Sequence, residues 1–205
     1  MPSSLALSLK QHIAALRVLL VLTVILGFLY PLAVTGVAQL ITPGRANGSL
    51  VSSDGKTVGS KLIGQLFTDD KGNALPQWFQ SRPSAAGKGY DPTATGASNL
   101  GPENSDLLKA VQDRRAAAAA LDGVAPGSVP PDALTASGSG LDPDISPAYA
   151  YQQVARIAKA RNLDVAKVRA LVADRIQSRQ LGFLGERVVN VVELNLALES
   201  LSTGR

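Results

Sequence analysis

The chain has 205 residues, with 20 Lys and Arg against 16 Asp and Glu, a single His and no Cys. No disulfide or thiol chemistry is available to it, and zinc sites built from His and Cys are excluded. The net charge of +4 comes without a Lys/Arg run and with few aromatics, which argues against nucleic-acid binding.

Residues 1–17 form a short basic lead carrying Lys10, His12 and Arg17. Residues 18–40, VLLVLTVILGFLYPLAVTGVAQL, carry no charge. A bilayer core needs roughly 20 apolar residues of helix, so this stretch is long enough to span one. Gly27 and Pro31 would weaken a soluble helix but are tolerated in membrane spans. A cleaved signal peptide is the alternative, because Gly36-Val37-Ala38 resembles a small-x-small cleavage site. Both readings send residues 41–205 across the membrane. All 16 acids follow the span and two of the cations precede it, so the domain itself is only mildly basic. About 160 residues suffice for one domain with a real core.

Pro43-Gly44 breaks the helix, and Asn47-Gly48-Ser49 matches a glycosylation sequon. Asp54-Gly55 between short apolar pieces predicts a hairpin. Residues 62–67 alternate as a strand does. Residues 69–73 read as a turn, and Trp78-Phe79-Gln80-Ser81-Arg82 as a short strand stopped by Pro83. A polar loop covers 90–102.

A helix from Pro102 to Leu121 places Leu107, Leu108, Val111, Ala118 and Leu121 on one face, with Asp122-Gly123 ending it. A second polar loop covers 135–147. Ser146 caps a helix with Pro147 at its first position, running to about Asn162 with Ala150, Val154, Ile157 and Ala158 inward. Asp164 caps a further helix through Val168, Leu171, Val172 and Ile176. Residues 181–185 form a turn, and Val188-Val189 a brief strand. Asn190 with Glu193 opens a last helix, Val191 to Leu201. The fold class is a single N-terminal transmembrane helix plus a mixed α+β soluble domain, with one small sheet drawn from residues 49–82 and the strand near Val188.

Catalytic motifs fail on spacing. Gly55-Lys56-Thr57 lacks the first glycine of a phosphate loop, since Leu50 stands there. Ser139 is flanked by Ser137 and Leu141 where a hydrolase elbow needs glycines. Ser53 and Lys56 enclose a turn rather than a helical dyad. His12, the sole imidazole, lies before the span, which removes every His-dependent triad. Asp142-x-Asp144-x-Ser146 imitates the start of a calcium loop, but Pro147 takes the glycine position. The residues therefore describe an anchored, exported, non-enzymatic domain.

Several stretches resemble one family: Ala46-Asn47-Gly48-Ser49-Leu50, Ile63-Gly64-Gln65, Trp78 through Ser84, Gly96 through Pro102, Thr135 through Pro147, and Gly182 through Leu198. Together they resemble the C subunit of the Kdp potassium-transporting ATPase of bacteria and archaea. Asp144 stands where that family often has histidine, and Arg187 where it often has proline.

The resemblance implies an accessory subunit in the bacterial plasma membrane, with its N-terminus cytoplasmic and its domain outside. Its partners would be a potassium-channel-like subunit and a P-type ATPase subunit. ATP and potassium would be used by the complex, the chain holding no cofactor or metal of its own. The resemblance also implies a role in assembly and in raising the ATPase subunit's affinity for ATP. Gln153 and Arg156 resemble the Gln-x-x-Arg pair linked to that role, although i,i+3 polar pairs read first as a solvated helix face. An extracytoplasmic domain cannot touch cytosolic ATP, so any such effect would act through partners. Candidate contact residues are Gly27, Ala33 and Gly36 in the span, and Asn99, Ser137, Ser139, Asp142 and Asp144 in the loops. The competing functions are direct nucleotide binding by the domain and an independent exported envelope enzyme or binding domain.

Overall fold

A computed structural model describes residues 4–202, so the first three residues of the expected lead lie outside the described residues. The chain divides into two units, residues 1–49 and residues 50–205.

The first unit is helical. Helix α1 (Ser4–Val24) passes through a π-turn (Ile25–Leu29) into α2 (Tyr30–Ile41). Pro31 explains the π-turn: it has no N–H, and its ring crowds the carbonyl four residues back. The Tyr30 N–H accordingly bonds the Ile25 carbonyl, five residues back. The apolar stretch Ser8–Ile41 is 34 residues long, none of it buried. That is about 50 Å of helix, more than a bilayer core requires. After Thr42 a short turn, α3 (Pro43–Ala46), follows. Asn47 and Gln39 exchange two amide hydrogen bonds of 3.1 Å, and Asn47 Nδ2 also donates to the Pro43 carbonyl. The amide nitrogen of the sequon is thereby engaged.

The second unit begins with the expected hairpin, β1 (Leu50–Ser53) and β2 (Lys56–Ser60), turned by Asp54-Gly55. Helix α4 (Ser105–Asp122) starts at Asn104, whose side chain accepts from the Asp106 and Leu107 amides, and ends at left-handed Gly123. Helix α5 (Pro147–Arg161) is the axis of the unit. Ser146 caps it, and the Asp132 carboxylate holds Ser146 through both its N–H and its hydroxyl. Ala150, Val154, Ile157 and Ala158 are buried, as the spacing predicts. Helix α6 (Val165–Asp174) is capped by Asp164. Helix α7 (Val191–Ser202) receives the Asn190 cap, Oδ1 accepting from the Glu193 amide. Phe79, Ile145, Val168, Val172, Val189, Leu194 and Leu198 close the core around α5.

Four expectations need correction. The strand near Val188 does not join the hairpin. It is β5 (Val188–Asn190), the centre of a separate antiparallel sheet between β3 (Asp144–Ile145) and β4 (Ile176–Gln177). Ile176 is therefore not the end of a helix: α6 stops at Asp174 because Ile176 pairs with Val189. Leu108 stands 52% exposed, because the inward stripe of α4 runs through Leu107, Val111, Arg114, Ala118 and Leu121 and Leu108 lies to one side of it. Finally, neither 62–67 nor 78–82 is a strand. Residues 62–67 spread their backbone over different partners, Gly64 N–H going to the Leu141 carbonyl and the Gln65 carbonyl to the Ser81 hydroxyl. The reason for 78–82 lies in the site itself.

Candidate functional site

Residues 75–78 form a turn, the Trp78 N–H donating to the Leu75 carbonyl at 3.2 Å, and the chain then passes α5 and α7 through Phe79 and Gln80, where side chains take the place of a neighbouring strand. Asn195, in the apolar run of α7, accepts from the Phe79 N–H and donates to the Phe79 carbonyl, both at 2.9 Å. Gln153 does the same for Gln80, with Oε1 accepting at 2.6 Å and Nε2 donating at 3.2 Å. Arg156 donates to the Pro76 and Trp78 carbonyls, and Arg161 to the Gln77 carbonyl at 2.7 Å. Five consecutive carbonyls are thus satisfied by side chains, which leaves the backbone no need of a ladder. The Arg161 guanidinium also lies 4.1 Å over the Trp78 ring, which meets Phe67 at 5.8 Å.

Gln153 and Arg156 are therefore not on a solvated helix face. They are 0% and 8% exposed, and Arg156 Nη2 donates to Gln153 Oε1 at 2.7 Å. Arg156 Nε donates at 2.7 Å to Asp122, whose side chain is almost wholly buried. Gln152 donates to the other Asp122 oxygen. A buried ion pair of this kind is tolerated only when its remaining donors are also bonded, and here three of the four other Arg156 N–H groups are. The i,i+3 spacing read first as a solvated helix face, and burial overturns that reading. Asn195, Asp122 and Arg161 were missed. A polar residue inside the apolar run Leu194-Asn195-Leu196 was the available signal for Asn195.

The two polar loops form a second cluster. Ser137 is buried, and its hydroxyl accepts from the Gly140 and Asp142 amides and meets the Ser139 hydroxyl at 3.2 Å. The Ser139 carbonyl accepts from the Gly96 N–H and the Thr95 hydroxyl, tying the loops together. Asp142 pairs with Arg82 at 2.9 Å and accepts from the Asp144 amide. The Tyr90 hydroxyl lies within hydrogen-bonding distance of the Arg82 and Asp142 carbonyls, and burial pushes its pKa up to about 12. Two glycines permit this approach. A Cβ on Gly140 (φ +71°) would fall 2.6 Å from Ala86 Cβ, and one on Gly64 2.3 Å from the Tyr90 ring. Asp144 Oδ1 is buried without a hydrogen-bond partner. Burial, and then the Asp142 charge, hold its carboxyl above the usual range, while Asn190 beside it acts the other way. Asn99, left-handed at φ 52°, stands exposed at the outer edge of the first loop.

In the helical unit, Ala33 lines an apolar groove of about 480 Å³ with Tyr30, Val34, Val37, Ala38 and Ile41. Gly27 and Gly36 lie outside it; a Cβ on Gly36 would meet open space, and one on Gly27 would stand 4.0 Å from Thr23 Cγ2.

These features define the class: a protein with one candidate membrane span followed by an α+β domain whose polar residues mostly hold its own loops. Residues 12–200 match the family described as K+-transporting ATPase, c chain. A protein of Kineococcus radiotolerans named "Potassium-transporting ATPase KdpC subunit" is 61% identical over 199 residues, covering 96% of this chain and 98% of that relative. Proteins of the same name from Gemmatimonas aurantiaca and Mycobacterium bovis are 52% and 51% identical, covering 95% and 94% of this chain and 95% and 99% of those relatives. The chain belongs to the KdpC family.

Two outcomes follow from this geometry. Gln153→Ala strips the partner from both backbone groups of Gln80, and we expect a loss of about 2–4 kcal/mol in chemical unfolding. Arg156→Met alone is expected to cost about 3–5 kcal/mol, and the double change with Asp122→Leu less, because no lone buried charge then remains. Asp144→Asn tests the acid cluster. A carboxyl whose folded pKa is raised weakens the fold as pH rises through that pKa. The variant should therefore melt higher than the parent at pH 7, and the gain should vanish below the carboxylate range.

Proposed function

We propose that the chain is a non-catalytic accessory subunit of an ATP-driven potassium uptake complex. It is held in a bacterial plasma membrane by a single span over residues 18–40. Its N-terminal lead is cytoplasmic and residues 41–205 form the extracytoplasmic domain. Membership of the KdpC family and the relatives' names support the subunit reading. Its partners in this reading are a potassium-channel-like subunit and a P-type ATPase subunit. ATP and potassium are consumed and moved by the complex, and the chain brings no cofactor.

The observation that carries this reading is the inward use of polar side chains. Gln153, Arg156, Ser137 and Asp142 all spend their hydrogen bonds on the domain's own backbone or on each other. Such residues shape a rigid docking body rather than meet a substrate. The exposed rim of the joined loops, around Asn99 and Leu100, is the face we assign to a partner. The span contributes its own face through the groove beside Ala33, where small side chains allow a neighbouring helix to come close.

The raised ATP affinity implied by the resemblance is read the same way. Arg156 and Gln153 position residues 76–80, so their effect on ATP binding elsewhere in the complex runs through the shape of the docked domain. They need no contact with nucleotide. Replacing residues 1–40 by an unrelated export signal should abolish co-purification with the other ATPase subunits while leaving a folded domain. Undiminished co-purification would reject assembly through the span.

A further inference from the structure

The hairpin joining β4 to β5 ends in a tip that nothing in the domain covers. Leu181, Phe183 and Leu184 are 82%, 69% and 48% exposed. The tip is a defined turn, with Gln180 and Leu184 exchanging backbone hydrogen bonds of 2.9 Å and the Phe183 N–H reaching the Gln180 carbonyl. Arg179 and Glu186 clasp its neck at 3.0 Å. Leu181 adopts φ 53°, a conformation that suits Asn or Gly and strains Leu. Neither the turn geometry nor the core therefore calls for an apolar side chain at that position.

We infer that this tip is a second, reversible membrane contact, dipping Leu181, Phe183 and Leu184 into the surface of an anionic bilayer. Two observations favour a bilayer over a protein. The first is size. Even a large aromatic side chain buries only about 150–250 Å², so one Phe and two Leu fall short of the roughly 800 Å² per side of a stable protein contact. A lipid surface needs no such area when a tether already holds the domain close. The second is charge: Arg179 and Arg187 flank the tip against Glu186 alone, while Arg175 at the foot of the hairpin is paired with Asp174 at 3.5 Å, so the hairpin keeps a net positive charge at its tip. Apolar side chains set among Arg suit an interface of acyl chains and anionic headgroups. The inference rests on the proposed anchoring of the span and on no other part of the functional reading.

The chain has no cysteine, so a single one can be placed at will. Full-length protein carrying Phe183→Cys, or separately Leu181→Cys, is labelled with an environment-sensitive fluorophore. It is then reconstituted into vesicles of phosphatidylcholine with or without phosphatidylglycerol, with lipid-borne quenchers present. A label at Val34→Cys reports the span, and one at Ser128→Cys reports a remote surface. We expect the tip labels to shift to the blue and to be quenched in phosphatidylglycerol vesicles, with Ser128 unaffected. Arg187→Gln should lower the bilayer-bound to free ratio of the tip by about fivefold, the worth of one basic side chain at such a surface. A water-like tip beside a quenched Val34 would overturn the inference while leaving the anchor intact. Tip labels that become shielded only when the other ATPase subunits are added would overturn it in favour of a protein pocket. An unquenched Val34 would overturn the anchor together with the inference.

Discussion

Two side-chain amides, Asn195 on α7 and Gln153 on α5, do for Phe79 and Gln80 what a neighbouring strand would otherwise do. A primary amide offers one acceptor and two donors in a plane, the complement of an extended backbone. Placed on two rigid helices, a pair of them can hold two successive residues in register. Arg156 and Arg161 extend the arrangement to the carbonyls of the preceding turn, so residues 76–80 are fixed to the helices along their length. The arrangement is exacting, because each lost partner leaves a buried polar group whose alternative hydrogen bond to water is gone.

The rest of the domain hangs on that segment. Residues 81–84 continue from it into the loop cluster, where Ser81 reaches the Gln65 carbonyl, Arg82 pairs with Asp142, and Ser84 donates to the Gly140 carbonyl at 2.6 Å. The two long polar stretches, 90–102 and 135–147, are therefore not independent loops. Each supplies hydrogen bonds that the other needs, and both are oriented by a backbone whose position is set at α5. This explains how a domain with only short strands keeps a defined outer face. It also explains why the buried pair Gln153 and Arg156 can influence a partner without meeting it: moving residues 76–80 would move the loop face.

Much of this was legible in local rules. Ser146, Asp164 and Asn190 cap their helices as their spacing requires, and Asp54-Gly55 turns its hairpin, because these bonds close within a few residues. The reading failed where the partner is distant. Residues 62–67 and 78–82 have the alternation of strands, but their hydrogen bonds go to side chains and to loop backbone, in the case of Phe79 116 residues away. Periodicity registers which face is buried and says nothing of who supplies the donors. The same limit applies to Gln153 and Arg156: the spacing is identical on a wet face and a buried one, and only the tertiary partner Asp122 decides. For the candidate site, recognising the family placed the right residues in view, while their use inside the fold came from the structure.

The central claim is that two side-chain amides hold Phe79 and Gln80 as firmly as a strand ladder would. Native-state hydrogen exchange at the Phe79 and Gln80 amides measures this directly. The account predicts protection comparable to that of core amides in α5, with opening only in global unfolding. Exchange of these two amides at rates typical of an open loop would contradict it.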